Sequence, residues 1–289
     1  MILRLRDREL DLSAPVLMGI VNATPDSFSD RPGPKDPEEL AERGLRLLAD
    51  GAAIVDVGGE SGRTDTEAVP VKEEIARVVP VVERLAEQGA LVSVDTWRGP
   101  VASAALDAGA TMINDVSGLS DESLVAVCAA TGAALVITHT QAPPKTKAFP
   151  RYDDVVASVR EFLGERMAAA RAAGVEAGRI VLDPGIDLAK TPAESVELLR
   201  RLPELAALGR PLLLAVSRKD FVGALTDRPP AERDAGTLAA VGAAVEAGTR
   251  IIRVHDVAGA RDYLRVRDAL ANGAESSLAL AAELRREAV

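Results

Sequence analysis

From Val16 onward the chain repeats one rhythm. A short apolar run is followed by a polar stretch, then a longer segment with apolar residues at helical spacing, then a glycine and the next apolar run. Short apolar runs bounded by turn residues read as buried strands, and the 3.6-residue period reads as amphipathic helix. The pattern predicts strands over 16–22, 52–58, 91–95, 111–115, 134–139, 180–183, 211–216 and 250–255. It predicts helices near 37–50, 72–88, 99–108, 121–131, 153–173, 194–208, 231–247 and 258–272. Most of these helices run into a glycine (Gly51, Gly89, Gly109, Gly132, Gly174, Gly209, Gly248), the residue that most readily takes the left-handed conformation ending a helix. Ahead of this rhythm, residues 2–12 alternate around Asp7-Arg8-Glu9 and predict a small hairpin. Residues 274–289 read as an extra C-terminal helix.

Eight strands alternating with eight helices over about 250 residues fit an α/β chain folded as a (β/α)8 TIM barrel. A doubly wound sheet is the competitor, but no Gly-x-Gly-x-x-Gly follows the first strand. No low-complexity linker interrupts the pattern, so residues 1–289 read as one domain.

Charge narrows the partners. A net charge of −10 argues against nucleic acid and against an anionic membrane surface, so any anionic ligand must be held by a local cluster of cations. One cysteine, Cys128, excludes an intrachain disulfide and fits a reducing cytoplasm; it sits on an apolar helix face and reads as core. Two histidines and one cysteine argue against structural zinc. The first residues carry no apolar signal core, and no apolar run is long enough to span a bilayer.

In a TIM barrel the chemistry sits where strands run into the following loops. Those positions hold Asn22; Asp56 and then Gly58-Gly59-Glu60-Ser61-Gly62-Arg63; Asp95; Asn114-Asp115; His139; Asp183; Ser217-Arg218-Lys219; and Arg253-Val254-His255-Asp256. One polar strand end is a routine turn former; eight on one face read as a ligand site. Lys219 stands out because the chain has only six lysines, and it lies where an apolar strand ends and a short helix begins. Asp95, Asn114, Asp183 and Lys219 suit a flat heterocycle that presents N–H donors and a carbonyl. Asn22, Arg63, Arg253 and His255 suit a phosphate or diphosphate. Asp56, inside an apolar run, reads as a structural partner. Glu60 is left open between the two roles, and Trp97 would either line the pocket or cover it.

These residues resemble the dihydropteroate synthases, the folate-pathway barrels of the pterin-binding family, over roughly residues 10–270. The motifs are Met18-Gly19-Ile20-Val21-Asn22-Ala23-Thr24-Pro25-Asp26-Ser27-Phe28-Ser29-Asp30, Asp56-Val57-Gly58-Gly59-Glu60-Ser61, Ser93-Val94-Asp95-Thr96 and Ile113-Asn114-Asp115-Val116-Ser117-Gly118, then Asp183-Pro184-Gly185, Ser217-Arg218-Lys219 and Arg253-Val254-His255-Asp256. The resemblance implies that Asp95, Asn114, Asp183 and Lys219 hold the pterin ring, with Asp95, Asp183 and Lys219 in the catalytic role. It implies that Asn22 contacts a Mg2+ ion on the diphosphate of 6-hydroxymethyl-dihydropterin diphosphate, which Arg63, Arg253 and His255 hold. It places p-aminobenzoate near Phe28, Ser217, Arg218 and residue 220. The implied reaction is loss of diphosphate followed by capture of the pterin cation by the amine of p-aminobenzoate. A homodimer in the cytoplasm is the family's common form.

The chain departs from the family pattern in a cluster. Gly62-Arg63-Thr64-Asp65 replaces a Thr-Arg-Pro-Gly run, Thr138-His139-Thr140-Gln141 replaces Met-His-Met-Gln, and Asp187-Leu188-Ala189-Lys190 replaces Gly-Phe-Gly-Lys. Asp220 stands where the family has a serine that meets the p-aminobenzoate carboxylate. An ionised carboxylate about 4 Å from that group would cost roughly 1–4 kcal/mol, or one to three decades of affinity, unless protonation or a cation such as Arg218 offsets it. Alternatively, Asp220 points away and caps the short helix. The readings are therefore a dihydropteroate synthase, the same chemistry with another acceptor, or a paralogue that binds pterin without turnover. A methyltetrahydrofolate-binding domain of a corrinoid methyltransferase shares the fold but has little use for Arg253 and His255 in a diphosphate set.

Overall fold

The computed structural model describes residues 1–24, 36–62, 66–273 and 278–279. Phe28, Arg63 and all but two residues of the expected C-terminal helix therefore lie outside the described residues. Strands β1 (Ile2–Leu5) and β2 (Arg8–Asp11) pair antiparallel, with the turn taken by Arg6 at φ 58°. The remaining strands are β3 (Val16–Asn22), β4 (Ala52–Gly58), β5 (Val92–Asp95), β6 (Met112–Asp115), β7 (Ala134–Thr138), β8 (Ile180–Asp183), β9 (Leu213–Ala215) and β10 (Ile251–Val254). They lie side by side in the order β8-β7-β6-β5-β4-β3-β10-β9, all parallel. A bridge between Leu182 and Leu212 joins the two edges and closes the barrel expected from the sequence.

The helices are α1 (Pro37–Ala49), α2 (Val71–Glu87), α3 (Gly99–Asp107), α4 (Glu122–Thr131), α5 (Val155–Ala172), α6 (Pro192–Arg200), α7 (Leu202–Ala206), α8 (Asp220–Thr226), α9 (Asp234–Glu246) and α10 (Val257–Asn272). The seven glycines expected at helix ends all have positive φ, from 67° to 112°. The helix expected over 194–208 is instead two. Pro203 has no N–H to donate and its ring crowds the preceding turn, so the chain breaks at Arg201 and restarts as α7. Its start at Pro192 is fixed by a capping box between Thr191 and Glu194.

Two apolar layers hold the barrel. The outer layer packs strands on helices. The inner one fills the barrel floor with Met18, Ile54, Met112, Val136, Val181, Leu213 and Ile251, and the hairpin closes it from below with Leu3, Leu5 and Leu12. Burying three such leucines contributes roughly 1.5–3 kcal/mol each. With its floor plugged by apolar side chains, the barrel is open for chemistry only at the opposite end.

Candidate active site

Side chains alternate along a strand, so each inward series climbs from apolar floor to polar mouth. On β3 it runs Met18, Ile20, Asn22; on β4 Ile54, Asp56, Gly58; on β10 Ile251, Arg253, and then His255. Asn22, Asp95, Asn114, Asp183, Ser217, Lys219, Arg253 and His255 all face one cavity of about 870 Å³ at the C-terminal end of the strands. The expected heterocycle set and the described members of the expected anion set thus share one chamber.

Beneath it runs a chain of ion pairs. Asp56 is fully buried and does not itself line the cavity. Its Oδ2 accepts from Arg253 Nε at 2.6 Å and from Asn114 Nδ2 at 3.1 Å. Arg253 Nη2 donates onward to Asp95 Oδ2 at 3.0 Å. Asp56 is therefore the structural partner the sequence suggested, and its partners are two site residues. Because Asn114 gives its N–H to Asp56, its buried Oδ1 is left without a partner at the cavity wall, ready to accept from a ligand N–H. Arg253 stands between the two expected sets, tied to the heterocycle acid Asp95.

Burial controls the charges. It pushes the Asp95 carboxyl up to about 7, against the pull of Arg253 and with help from the negative Asp56. Asp183 is also raised by burial, although Gly185 N donates to its Oδ1 at 2.7 Å and the Lys219 ammonium lies nearby. His255 is driven down to about 4, first by burial and then by the cations Arg253, Arg218, Arg43 and Lys219. Ser217 Oγ accepts from His255 N at 3.3 Å and lies 2.9 Å from its Nδ1. If the serine hydroxyl donates to Nδ1, the neutral imidazole carries its proton on Nε2 and presents a donor to the cavity.

Two expectations are corrected. His139 does not join the mouth: it follows the inward Ala134, Val136 and Thr138 by one residue, so it faces outward. Its ring packs edge-on against Phe162 at 4.8 Å, and burial lowers it to about 3. Arg218 does not offset Asp220, because its guanidinium turns to Asp234 on α9 at 2.9 and 3.2 Å. Asp220 opens α8 at the cavity rim with its side chain 84% exposed, and Arg233 Nη1 donates to it at 3.0 Å. The repulsion estimated for a close, unpaired carboxylate is thus reduced by solvent and by Arg233. Gly62 lines the cavity with nothing within 4 Å of where a Cβ would stand, so packing does not dictate a glycine there.

The open readings resolve as well. Trp97 lines the cavity and carries Arg98 4.7 Å over its ring. Glu60 does both jobs: it lines the cavity and bonds Arg98 at 2.6 Å, while Arg98 also holds the buried Glu74. Cys128 is core, its thiol raised to about 12 by burial.

Three further residues were missed in the sequence. Lys145 reaches from the loop after β7 to Ser61 O at 2.9 Å and Thr66 Oγ1 at 2.6 Å, tying the two rims of the mouth. Lys190 is buried, with its Nζ donating to the carbonyls of Gly185 and Leu188 at 2.9 Å and of His139 at 3.4 Å; burial lowers it to about 7. Asp187 bonds both α6 and α8. The lysine count was the available signal, since four of the six lysines (Lys145, Lys147, Lys190, Lys219) line this cavity in a chain of net charge −10.

Among the described residues no group of three or more histidine, cysteine, aspartate or glutamate side chains is placed to hold a metal. The oxygen Asn22 brings to the cavity is a single amide carbonyl. That donor set does not form a protein cage, but it fits a Mg2+ ion that keeps its waters and arrives on phosphate oxygens.

Comparison with known proteins is consistent along the chain. The family described as pterin binding enzyme matches residues 18–255. The dihydropteroate synthase of Mycobacterium leprae is 43% identical over 263 residues, covering 88% of this chain and 93% of that protein. The Xanthomonas albilineans dihydropteroate synthase solved with 4-aminobenzoic acid is 44% identical, with a TM-score of 0.88 over 94% of this chain and 98% of that one. The same enzyme in complex with 7,8-dihydropteroate superposes with a TM-score of 0.85 at 43% identity, over 94% and 99% of the two chains.

Proposed function

The chain belongs to the pterin-binding enzyme family, among its dihydropteroate synthases, and from that premise we propose how its barrel mouth carries out the transfer. The substrates are 6-hydroxymethyl-7,8-dihydropterin diphosphate and p-aminobenzoate, and the products are dihydropteroate and diphosphate. The observation that carries the reading is the single cavity shared by Asp95, Asn114, Asp183 and Lys219, with Arg253 and His255 on the same wall. The pterin ring lies against the first four. Its N–H edge donates to Asp95, Asp183 and the Asn114 carbonyl oxygen, and the Lys219 ammonium meets the ring carbonyl. His255 Nε2–H, Arg253 and Arg63 receive the diphosphate.

The carbon–oxygen bond to diphosphate breaks and its electron pair leaves on the phosphate oxygen. Cationic donors stabilise that charge. Asn22 would contact a Mg2+ ion carried on the diphosphate, and that ion would supply partial neutralisation of the leaving charge. The positive charge left on the pterin is stabilised by Asp95 and Asp183. The amine of p-aminobenzoate then forms the new carbon–nitrogen bond and sheds a proton. Ser217 and the rim at Asp220 border the acceptor half. Asp220, exposed and held by Arg233, leaves room for an anionic acceptor, which favours p-aminobenzoate over an altered one.

No described helix is long and apolar enough to cross a membrane. A lone buried cysteine suits the reducing cytoplasm, and we place the chain there; the homodimer rests on the family resemblance alone. The test is incubation with pterin diphosphate and Mg2+, with and without p-aminobenzoate. Diphosphate release that depends on p-aminobenzoate, with dihydropteroate as product, is expected. Release without dihydropteroate points to another acceptor, and pterin binding without release sinks the synthase reading.

A further inference from the structure

Residues 184–190, between β8 and α6, pass through left-handed backbone at Gly185 (φ 68°), Asp187 (φ 61°) and Ala189 (φ 50°). For a residue with a Cβ that conformation costs roughly 1–2 kcal/mol. The segment is held in it by specific bonds: Lys190 on two of its carbonyls, Tyr152 Oη on Ala189 O at 3.0 Å, and the side chain of Asp187. Asp187 Oδ1 accepts from Ser195 Oγ at 2.9 Å, and Asp187 N donates back to the same hydroxyl at 3.1 Å. Ser195 lies on α6 and is fully buried. Asp187 Oδ2 accepts from Asp220 N at 2.5 Å and Phe221 N at 3.4 Å, the first amides of α8.

Lys219 is the residue immediately before α8, at φ −66° and ψ 160°, and no local side chain caps that helix. Its backbone is gripped from two sides. Arg233 Nη1 donates to Lys219 O at 3.1 Å, and Asp187 takes the N–H that follows. Asp187 lies four residues after Asp183 on the same turn. A single carboxylate thus ties the segment bearing Asp183 to the segment bearing Lys219, across 33 residues of sequence.

We propose that Asp187 is a positioning residue that sets the Lys219 ammonium against Asp183 in the cavity. The inference rests on Lys219 working there, as the synthase reading has it. It explains how the chain tolerates a strained aspartate and alanine where a glycine-rich run would turn freely: the carboxylate supplies the cap that α8 lacks. Without it the first amides of α8 lose the carboxylate that accepts from them, and the Lys219 backbone keeps only one of its two grips, that of Arg233. A misplacement of about 1 Å at a reacting group can cost on the order of a hundredfold in rate.

The test compares Asp187→Gly, Asp187→Asn and Ser195→Ala with the wild-type chain. Dihydropteroate formation, calorimetric binding of a pterin and thermal midpoint are measured on each. Asp187→Gly relieves the left-handed strain as it removes the clamp, so its midpoint is expected within about 3 °C of wild type. Its kcat/KM for the pterin diphosphate and its pterin affinity are each expected to fall tenfold or more. Asp187→Asn keeps an acceptor oxygen for the α8 amides and should stay within threefold. Ser195→Ala removes one anchor and should fall between them. Wild-type kinetics and binding in Asp187→Gly, or an equal loss in Asp187→Asn, overturn the proposal. An inactive wild-type chain would count against the synthase reading instead, and the calorimetry would still decide on Asp187.

Discussion

Replacing Asp56 by asparagine isolates its charge from its shape. The carboxylate is fully buried, and its Oδ2 serves Arg253 at 2.6 Å and Asn114 at 3.1 Å. An amide oxygen can keep both contacts, so the geometry of Arg253 and Asn114 should survive. What disappears is one negative charge that flanks the same guanidinium as Asp95. Two carboxylates roughly 5–6 Å apart at an effective dielectric of about 20–40 repel by roughly 1.5–3 kcal/mol, equivalent to one to two pH units. Burial, aided by Asp56, holds Asp95 up near 7 while Arg253 pulls it down. Without Asp56's charge, burial and the lesser contributions of Glu74 and Asp115 still oppose Arg253, but the balance shifts toward the guanidinium and the Asp95 carboxyl should fall. If ionised Asp95 is needed to receive the pterin, kcat/KM in the wild-type chain should rise with pH through about 7. In Asp56→Asn that acid limb should move down by at least one pH unit, even if the plateau drops because the buried arginine has lost a counter-charge. The assay is dihydropteroate formation from pH 5 to 9 in buffers of constant ionic strength. An acid limb that stays put or moves up would refute the reasoning.

Other perturbations follow from the same contacts. Asp220→Ser should change KM for p-aminobenzoate by less than about fivefold, because an exposed, Arg233-paired carboxylate contributes no more than about 1 kcal/mol; a hundredfold tightening would restore the repulsion argument. Lys190→Met removes the buried donor shared by the carbonyls of Gly185 and Leu188, of which Gly185 O keeps the Leu188 N–H, and should lower unfolding free energy in urea by about 1–3 kcal/mol, whereas a neutral result would mean that the loop holds its own shape. Leu5→Ala opens a void in the hairpin plug and should cost about 2–4 kcal/mol in the same measurement, with kcat nearly unchanged because the plug lies at the end of the barrel away from the cavity. The Asp95 contribution to folding stability, read as wild type minus Asp95→Asn, should fall as pH rises from about 4 to 7; the comparison is needed because His255 and His139, driven down to about 4 and 3, favour the folded state as pH rises over the same range. A buried carboxyl raised to about 7 favours the folded state in its protonated form, and that contribution is full below the unfolded value and lost as Asp95 ionises; a difference between the two chains that stays flat or grows with pH would contradict it.

The barrel was legible because its local signals agree. Apolar runs, helical periods and terminal glycines such as Gly51 and Gly132 mark the same boundaries, and strand parity puts Asn22, Asp95 and Asp183 at one mouth. Parity also contained the answer for His139: Ala134, Val136 and Thr138 take the inward face, so the next residue cannot. What sequence order does not show is which neighbour a long side chain chooses. Arg253 lies 197 residues from Asp56 and 158 from Asp95, and only closure of β10 onto β3 brings all three together. Arg218 and Arg233 lie within fifteen residues of one another on either side of α8, yet Arg233, not the adjacent Arg218, takes Asp220. Asp187 and Lys190 were invisible as site residues because their role is to bond loop backbone, and no spacing rule marks a loop that folds onto its own lysine.

The central claim is that Asp95, Asn114, Asp183 and Lys219 form one surface for the pterin ring. A crystal structure of the chain with 7,8-dihydropteroate tests it most directly. The ring's N–H edge is expected within hydrogen-bond distance of Asp95, Asp183 and Asn114 Oδ1, with Lys219 Nζ at the ring carbonyl and Asn114 Nδ2 still on Asp56. A ring seated on the outer rim, with Asp95 and Asn114 Oδ1 making no contact to it, would contradict the account.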